Sequence, residues 1–483
     1  MSAARADRPC RPLDGGAPVK ALPRRRPTLW AAVFCLLSFT GLWLAQRAAQ
    51  VSMVDLMVYR AEGWAVRTGT DLYDLRATRY ELPTTYPPFA ALLFTPLSLP
   101  TVGVVKVLAT AVNLALVAAL TQLSLRLVGD RLPVPRPAAA LLVAAVAVWC
   151  EPVWSTLRYG QINLLIAVLV LWDLTRRPGH RWAGVGIGIA TGIKLTPALF
   201  VVFLALAGLA ARRGRRTWGR RHREPRPSGS PQPSGSPRPR EGLRREELRR
   251  AGVATAAFAA TVALAGLVLP RDSRRFWTDV VLSADRPGDV EEAGNQNLRG
   301  VLARALHTVD PGLWWLLAAA LVGCVGMAVA VGAHRAGERL PYGRAWSALA
   351  CAITALLVSP VSWSHHWVWA VPVALLLCAE ARRRRTARWV GGAALTGLLF
   401  CSYAIWYPPH VVPRHVELRL GSGQMLLTAA YPLLGVAFLA VAGCLTVRAL
   451  RTPPAASLAP QGPHGPRARA EGVSRRRPSY ARG

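Results

Sequence analysis

The chain has 483 residues, and its 59 Lys and Arg against 25 Asp and Glu give a formal net charge of +34. Such an excess would suit a nucleic-acid-binding protein, yet 52% of the residues are hydrophobic and only 17% are charged. The two facts agree only if apolar and charged residues occupy separate segments, as in an all-α polytopic membrane protein, and this pattern excludes a soluble enzyme.

A basic segment opens the chain and apolar runs follow it. We predict a disordered cytoplasmic N-terminus at 1–28, a membrane domain at 29–450 and a disordered basic cytoplasmic tail at 451–483. The first apolar run could be a signal peptide, but its length and the lack of a clear cleavage site favour an anchor. About ten spans are predicted, at residues 29–46, 101–125, 137–152, 161–174, 251–269, 313–333, 345–360, 364–380, 390–406 and 423–447.

One further apolar piece, at residues 88–99, is too short to cross a bilayer. It carries Pro88 and Pro96, and proline interrupts helical hydrogen bonding. A re-entrant segment or half-helix is therefore predicted here.

Another unusual apolar stretch covers residues 183–210 and is interrupted by Lys194 and Pro197. Basic segments at 176–181 and 212–250 flank it, so the positive-inside rule puts both of its ends in the cytoplasm. We predict a hairpin of two short helices, followed by a disordered cytoplasmic loop at 212–250. Both chain termini are then cytoplasmic as well.

Two sizeable loops, at about 47–87 and 270–312, are predicted to face the outside. Asp55 begins the first loop, next to apolar and aromatic residues that would make its carboxylate a better base than one in open water. The alternative is a helix cap or an ion-pair partner for Arg47 or Arg60.

The second loop carries the sequence NQNLRGVLAR, in which Asn295, Gln296, Asn297 and Arg299 offer amides and a guanidinium. These groups suit sugar hydroxyls and a phosphate. The alternative is a solvated loop whose asparagines cap a helix that starts near Leu298, which would leave the arginine unexplained.

Within the membrane domain, polar residues cost free energy unless they are paired or hydrated. Lys194 lies at the break of the hairpin, where a wet cavity and an anionic partner would keep it charged; snorkelling to an interface is the weaker interpretation. Gln161 and Asn163 could be ligands or could hydrogen-bond neighbouring helices together.

The sequence SPVSWSHHWVW separates two predicted spans at the outer face. His365 and His366 are adjacent, so on a helix their side chains diverge by about 100° and do not readily share a metal ion. One imidazole facing a cavity, as a partner for phosphate or hydroxyl, is the better hypothesis.

The eight cysteines contain no Cys-x-x-Cys motif, and seven lie in or beside apolar runs. We expect them to act as small hydrophobic residues in helix packing, without a disulfide framework.

Several motifs in order, DLMVY, LPTTYPPFAALLFTPLSL, GQINLLIAVLVLWDL, GIKLTPALF, NQNLRGVLAR and SPVSWSHHWVW, resemble those of glycosyltransferase family 87, the actinobacterial polyprenyl-phosphate-mannose-dependent α-mannosyltransferases. The resemblance runs from about Asp55 to Trp369. It implies a GT-C fold, an extracytoplasmic active site, a polyprenyl-phosphate-mannose donor, and Asp55 as the catalytic base. It also implies that no metal or other cofactor is needed.

The reaction implied is inverting, with one base on the acceptor hydroxyl and cations on the leaving phosphate. The acceptor would be a glycolipid or lipoglycan, and the linkage α-1,2 by resemblance. Candidates for binding the donor phosphate or sugar are Lys194, Arg299, His365, His366, Asn295, Gln296, Tyr86, Tyr59, Gln161 and Asn163.

Two other functions fit a polytopic protein with broken helices: a secondary transporter, and a lipid-glycan flippase or polymerase without transferase activity. The transporter predicts repeat symmetry, which the sequence does not show. The basic excess is assigned to topology and to anionic lipids at the cytoplasmic face, and no nucleic-acid partner is expected.

Overall fold

The computed structural model describes residues 25–213, 239–283, 286 and 288–452. Most of the segments expected to be disordered (1–24, 214–238 and 453–483) lie outside the described residues. The described part is helical: α1 (Arg25–Ala48), α2 (Val54–Thr68), α3 (Pro88–Phe94), α4 (Val102–Val128), α5 (Arg136–Ala147), α6 (Glu151–Tyr159), α7 (Asn163–Leu174), α8 (Val185–Ile193), α9 (Ala198–Arg213), α10 (Pro239–Val268), α11 (Pro270–Thr278), α12 (Leu298–Ala305), α13 (Gly312–Ala336), α14 (Gly343–Val358), α15 (Ala370–Arg384), α16 (Ala387–Cys401), α17 (Ser422–Thr428) and α18 (Ala430–Arg451).

Short 3-10 helices and one small hairpin complete the described part. The 3-10 helices are Thr95–Ser98, Val280–Leu282, Gly337–Arg339, Ser364–Trp369, Ala404–Trp406 and Val416–Arg419. Strands β1 (Arg76–Ala77) and β2 (Leu82–Pro83) pair antiparallel within the loop at 47–87. The all-α prediction is therefore confirmed.

Five helices of the described residues are long and apolar enough to cross a membrane: Arg26–Ala48, Val102–Val128, Arg244–Val268, Gly312–Arg339 and Ala430–Arg451. Helices α5 and α6 would make a sixth if the pair, bent by 76°, is one span. Shorter apolar helices such as α7, α9, α14 and α16 occupy other predicted positions. The figure of about ten spans remains a prediction.

The hairpin predicted around Lys194 is confirmed by its packing against the long helix α10. Gly184, just before α8, packs against the carbonyl of Arg250, and Gly208 in α9 packs against Leu248. Both ends of the 184–208 segment therefore lie beside the same turn of α10, so α8 and α9 run in opposite directions along it.

The other end of the hairpin lies farther along α10. A Cβ atom on Gly188 would be 2.5 Å from the Cβ of Ala257, and one on Gly192 would be 2.7 Å from the Cβ of Thr261. Only glycine allows this close approach. The chain then leaves helical geometry at Lys194, which is extended (φ −150°, ψ 130°), and Pro197 starts the return.

Helix α10 begins earlier than expected, because residues 239–250 were predicted to belong to a disordered loop. In its first turns Glu246 pairs with Arg249 (2.9 Å) and Arg250 (2.8 Å). Such i,i+3 and i,i+4 pairs stabilise helix in a strongly charged sequence.

Two predicted spans are broken. The one at 137–152 stops as α5 at Ala147, and α6 starts after a 76° bend with Pro152 in its first turn. Proline has no N–H to continue the helical hydrogen bonds of α5. The span at 423–447 is divided into α17 and α18 at Ala429.

The half-helix predicted at 88–99 is α3 with the 3-10 turn after it. Helix α2 packs on its end so closely that Gly63 has no room for a side chain against the backbone of Phe94. This contact fixes α2 against the end of α3.

Candidate active site

A cavity of about 580 Å³ lies where the loops at 47–87 and 270–312, the hairpin break and the segment between α14 and α15 meet. Apolar side chains form much of its wall, with a few polar ones among them. Its lining residues include Asp55, Tyr59, Tyr86, Gln161, Lys194, Thr196, Arg286, Ser359, Trp363 and His366. Six of these were predicted from the sequence as site residues.

Asp55 lies in the first turn of α2, where the helix dipole favours a negative charge. Its Oδ2 accepts a hydrogen bond from Nε2 of Gln161 at 2.7 Å. Burial raises the pKa of Asp55 to about 6, against the lowering effects of the Gln161 hydrogen bond and the charge of Lys194. The α2 cap is Met53, Arg60 donates to the carbonyl of Pro100 and Arg47 lies over the ring of Trp43, so neither alternative suggested for Asp55 describes its contacts.

Gln161 connects Asp55 to two tyrosines and to Asn163. Its Oε1 accepts from the hydroxyls of Tyr59 (2.8 Å) and Tyr86 (3.3 Å) and from Nδ2 of Asn163 (3.3 Å). Because these donors orient the amide, its Nε2 is directed at the carboxylate of Asp55. Gln161 thus both lines the cavity and joins helices.

Lys194 extends the same chain of contacts. Its Nζ donates to Oδ1 of Asn163 at 3.2 Å and lies 2.8 Å from Nε2 of His366. When Lys194 donates this hydrogen bond, the imidazole nitrogen is the acceptor and the proton of a neutral His366 is on Nδ1. We call Asp55, Tyr59, Tyr86, Gln161, Asn163, Lys194 and His366 the cavity network.

The two adjacent histidines have different surroundings. His366 lines the cavity, whereas the His365 ring packs edge-on against the rings of Tyr159 and His366. The backbone carbonyl of His365 accepts from Thr156 (2.9 Å) and Asn163 (3.3 Å). The two rings are in edge-on contact and do not diverge as expected, and His366 lines the cavity whereas His365 does not.

The amides of the loop at 270–312 do not line the cavity either. Asn295 donates to the carbonyl of Val290 (2.8 Å), and Gln296 donates to the carbonyls of Ala293 and Thr428 (both 2.6 Å). Both side chains are fully buried. The expectation that they bind sugar or phosphate is corrected, because their hydrogen bonds are used to hold the loop together.

The capping alternative is correct for Asn297, whose side chain accepts from the N–H of Gly300 at the start of α12. The loop is not solvated, however. We call Asn295, Gln296, Asn297 and Arg304 the loop network, because all four are buried and bind backbone groups.

Arg299 was predicted to contact the donor phosphate, but it is not among the residues that line the cavity. Its guanidinium lies over the ring of Trp315, 5.2 Å from the ring centroid. Arg286, which the sequence analysis did not select, does line the cavity and donates to the carbonyl of Tyr73 at 2.9 Å. Arg286 lies outside the helices, so no hydrophobic periodicity marked it in the sequence.

A second carboxyl group, Glu62, lies two turns along α2 from Asp55 and is fully buried. Burial raises its pKa to about 8. The carboxyl of Glu62 therefore keeps its proton to higher pH than that of Asp55.

One group with metal-ligand geometry lies outside the cavity. Single ligand atoms of Asp289, Glu291 and His415 fall within 4.8 Å of one another. Asp289 already pairs with Arg414 (3.2 Å) and Glu291 with His415 (2.5 Å). These pairs account for both carboxylates, so the group is not assigned to a metal.

Comparison with known proteins gives a family match. The sequence model of glycosyltransferase family 87 matches residues 85–220 and 242–360. A polyprenol-phosphate-mannose-dependent alpha-(1-2)-phosphatidylinositol pentamannoside mannosyltransferase of Mycobacterium tuberculosis (strain CDC 1551 / Oshkosh) is 32% identical, over 76% of this chain and 77% of its own length.

A second relative comes from Mycolicibacterium smegmatis (strain ATCC 700084 / mc(2)155). This polyprenol-phosphate-mannose-dependent alpha-(1-2)-phosphatidylinositol mannoside mannosyltransferase is 31% identical, over 87% of this chain and 91% of its own length. No solved structure matches the chain.

Proposed function

Because the chain belongs to glycosyltransferase family 87, we propose that it transfers mannose from polyprenyl-phosphate-mannose to a phosphatidylinositol mannoside or related lipoglycan acceptor, with an α-1,2 linkage. The observation that carries the proposal is that the carboxyl group of Asp55 and the amino group of Lys194 line one cavity and belong to one hydrogen-bonded network.

Asp55 is the proposed general base. A carboxylate with a pKa of about 6 is ionised at pH 7 and is more basic than one in open water, so it suits removal of a proton from an acceptor hydroxyl. Attack on a β-linked mannosyl phosphate from the face opposite the phosphate gives an α-linked product. Such an inverting reaction needs one base and no nucleophilic carboxylate.

Lys194 is the proposed cation for the leaving phosphate. It lines the cavity, where its Nζ donates to Asn163 and lies 2.8 Å from the Nε2 atom of His366. A fixed cation in a partly apolar cavity stabilises developing negative charge more than it would in water. Arg286 lines the same cavity and is a second cationic candidate.

We place the cavity at the extracytoplasmic face of the membrane. Both ends of the α8–α9 hairpin lie beside the basic start of α10, where Arg249 donates to the carbonyls of His180 and Arg181. Lys194 and the cavity lie at the opposite end of the hairpin. The positive-inside rule puts the basic end in the cytoplasm.

The decisive experiment measures transfer of labelled mannose by purified protein supplied with polyprenyl-phosphate-mannose and a phosphatidylinositol mannoside. We expect Asp55→Asn to reduce kcat by roughly 10² or more, since the base is lost with little change in size. Asp74→Asn is the matched control: this exposed carboxylate of the same loop pairs with Arg275 and does not line the cavity.

Near-normal transfer by the Asp55 variant would refute the assigned base. Transfer from a nucleotide sugar supplied alone to the purified protein would refute the assigned donor.

A further inference from the structure

Two cysteines that play no part in the cavity network lie side by side. The Sγ atoms of Cys150 and Cys401 are 3.2 Å apart, although the residues are 251 positions apart in the chain. Cys150 lies in the bend between α5 and α6, and Cys401 is the last residue of α16. Hydrophobic helix packing, the role expected for all the cysteines, does not require two sulfur atoms to meet.

The backbone on both sides of the pair is already held together. The hydroxyl of Tyr403 donates to the carbonyl of Trp149 at 3.2 Å, and Nε1 of Trp406 donates to the carboxylate of Glu151 at 3.0 Å. These contacts bracket Cys150 and hold the end of α16 against the α5–α6 bend. A covalent bond between the sulfurs needs them to approach by only about 1.1 Å, to the S–S length of about 2.05 Å.

The pair lies at the same end of the molecule as the cavity. Glu151, next to Cys150, accepts a hydrogen bond from Ser364 at 2.8 Å, and Ser364 is two residues from His366 in the cavity wall. Cys401 is exposed. On the proposed sidedness, this end meets the compartment in which disulfides persist.

We propose that Cys150 and Cys401 form a disulfide bond in the native membrane. The exposed Cys401 thiolate attacks a disulfide-bearing oxidant and releases one thiol; Cys150 then attacks the Cys401 sulfur and releases the second. The oxidant takes up two electrons and ends as two thiols, which carry the two protons of Cys150 and Cys401. The new bond joins α16 to the α5–α6 bend beside Glu151.

The function of this bond is structural. Glu151 is fully buried and also accepts from Ser155 and Tyr431, so it joins α6, α18 and the 364–369 segment. A Cys150–Cys401 crosslink beside Glu151 limits how far α16 and the α5–α6 bend separate when the chain unfolds.

The test uses full-length protein whose free thiols are blocked with N-ethylmaleimide in native membranes before extraction. After proteolysis without reductant, mass spectrometry is expected to show a linked peptide pair containing Cys150 and Cys401. The pair should be absent from Cys401→Ser and present in Cys444→Ser, which removes an exposed cysteine of α18. Maleimide on both Cys150 and Cys401 of the wild type would overturn the proposal.

A second measurement does not depend on making a variant. Reductant is expected to lower the melting temperature of the purified wild-type protein and to leave that of Cys401→Ser unchanged; an unchanged wild-type melting temperature would count against a structural bond. Sidedness is tested separately with a membrane-impermeant maleimide on intact cells after mild reduction. Labelling of Cys401 supports the proposed side even if the disulfide is absent, whereas no labelling contradicts it.

Discussion

Two polar clusters lie close together at the cavity end of the molecule, and both contain amides and a basic residue. In the loop network the side chains bind backbone carbonyls: Arg304, for example, is 1% exposed and donates to the carbonyls of Glu292 (2.9 Å) and Thr428 (3.0 Å). In the cavity network the side chains bind one another and present Asp55 and Lys194 to an open space.

The difference shows how a scaffold amide and a site amide can be told apart. Asn295 and Gln161 carry the same functional group. In Asn295, however, the amide N–H₂ donates to the carbonyl of Val290 and the amide oxygen accepts from the N–H of Ser362. Gln161 is held by neutral donors, so that its own N–H₂ group is left to contact a titrating carboxylate. Partners, rather than residue type, therefore separate the two networks.

The largest expected contrast is between the two cations predicted from the sequence. Lys194→Met is expected to reduce kcat by about 10²–10³, the typical effect of losing one preorganised charge at a reacting group. Arg299→Met should keep most of the activity, because Arg299 lies over Trp315 and not in the cavity. Mannosyl transfer by both purified variants checks this, and equal losses would contradict the placement of Arg299 outside the site.

The loop network should respond in stability rather than in chemistry. Arg304→Met leaves several buried carbonyls without their donor, and we expect the free energy of unfolding to fall by roughly 2–5 kcal/mol. Denaturant unfolding of the purified protein measures this change. A variant that unfolds like the wild type but loses its turnover would show that Arg304 acts on the substrate instead.

The smallest expected effect is a pH dependence of kcat/KM that comes from the ionisation of Asp55 in the cavity network. The base must be ionised, and the pKa of Asp55 is raised to about 6, so kcat/KM should rise with pH through this value and fall about tenfold per unit below it. The pH profile of transfer measures this limb.

The hydrogen bond from Gln161 lowers the pKa of Asp55, so Gln161→Leu should move the limb to higher pH. If kcat/KM rose at the same pH in this variant as in the wild type, the hydrogen bond from Gln161 would not control the pKa of Asp55. A rise near pH 4 in the wild type would contradict the raised pKa itself.

Much of the fold could be predicted because it follows from hydropathy and charge. The hairpin at Lys194 was predicted from two flanking basic segments, and the half-helix at 88–99 from its length and prolines. The bend before α6 was missed, since hydropathy runs through it and only Pro152 marks the change.

The site was partly predictable for a different reason. Asp55, Lys194, Gln161 and Asn163 are polar residues in or beside apolar surroundings, where each needs a partner. For Asn295, Gln296 and Arg299 the residue types suited a ligand, but the sequence does not show which backbone carbonyls and rings surround them. Arg286 carried no signal beyond its charge.

The glycine contacts of α8 determine where Lys194 lies along the axis of α10. A helix rises about 1.5 Å per residue, so a slip of α8 by one position along α10 would carry Lys194 about that far from its place opposite Asp55. Misplacements of about 1 Å can cost a catalyst 10²-fold. Gly188 and Gly192 therefore fix the position of the Lys194 amino group along the axis of α10, although neither lines the cavity.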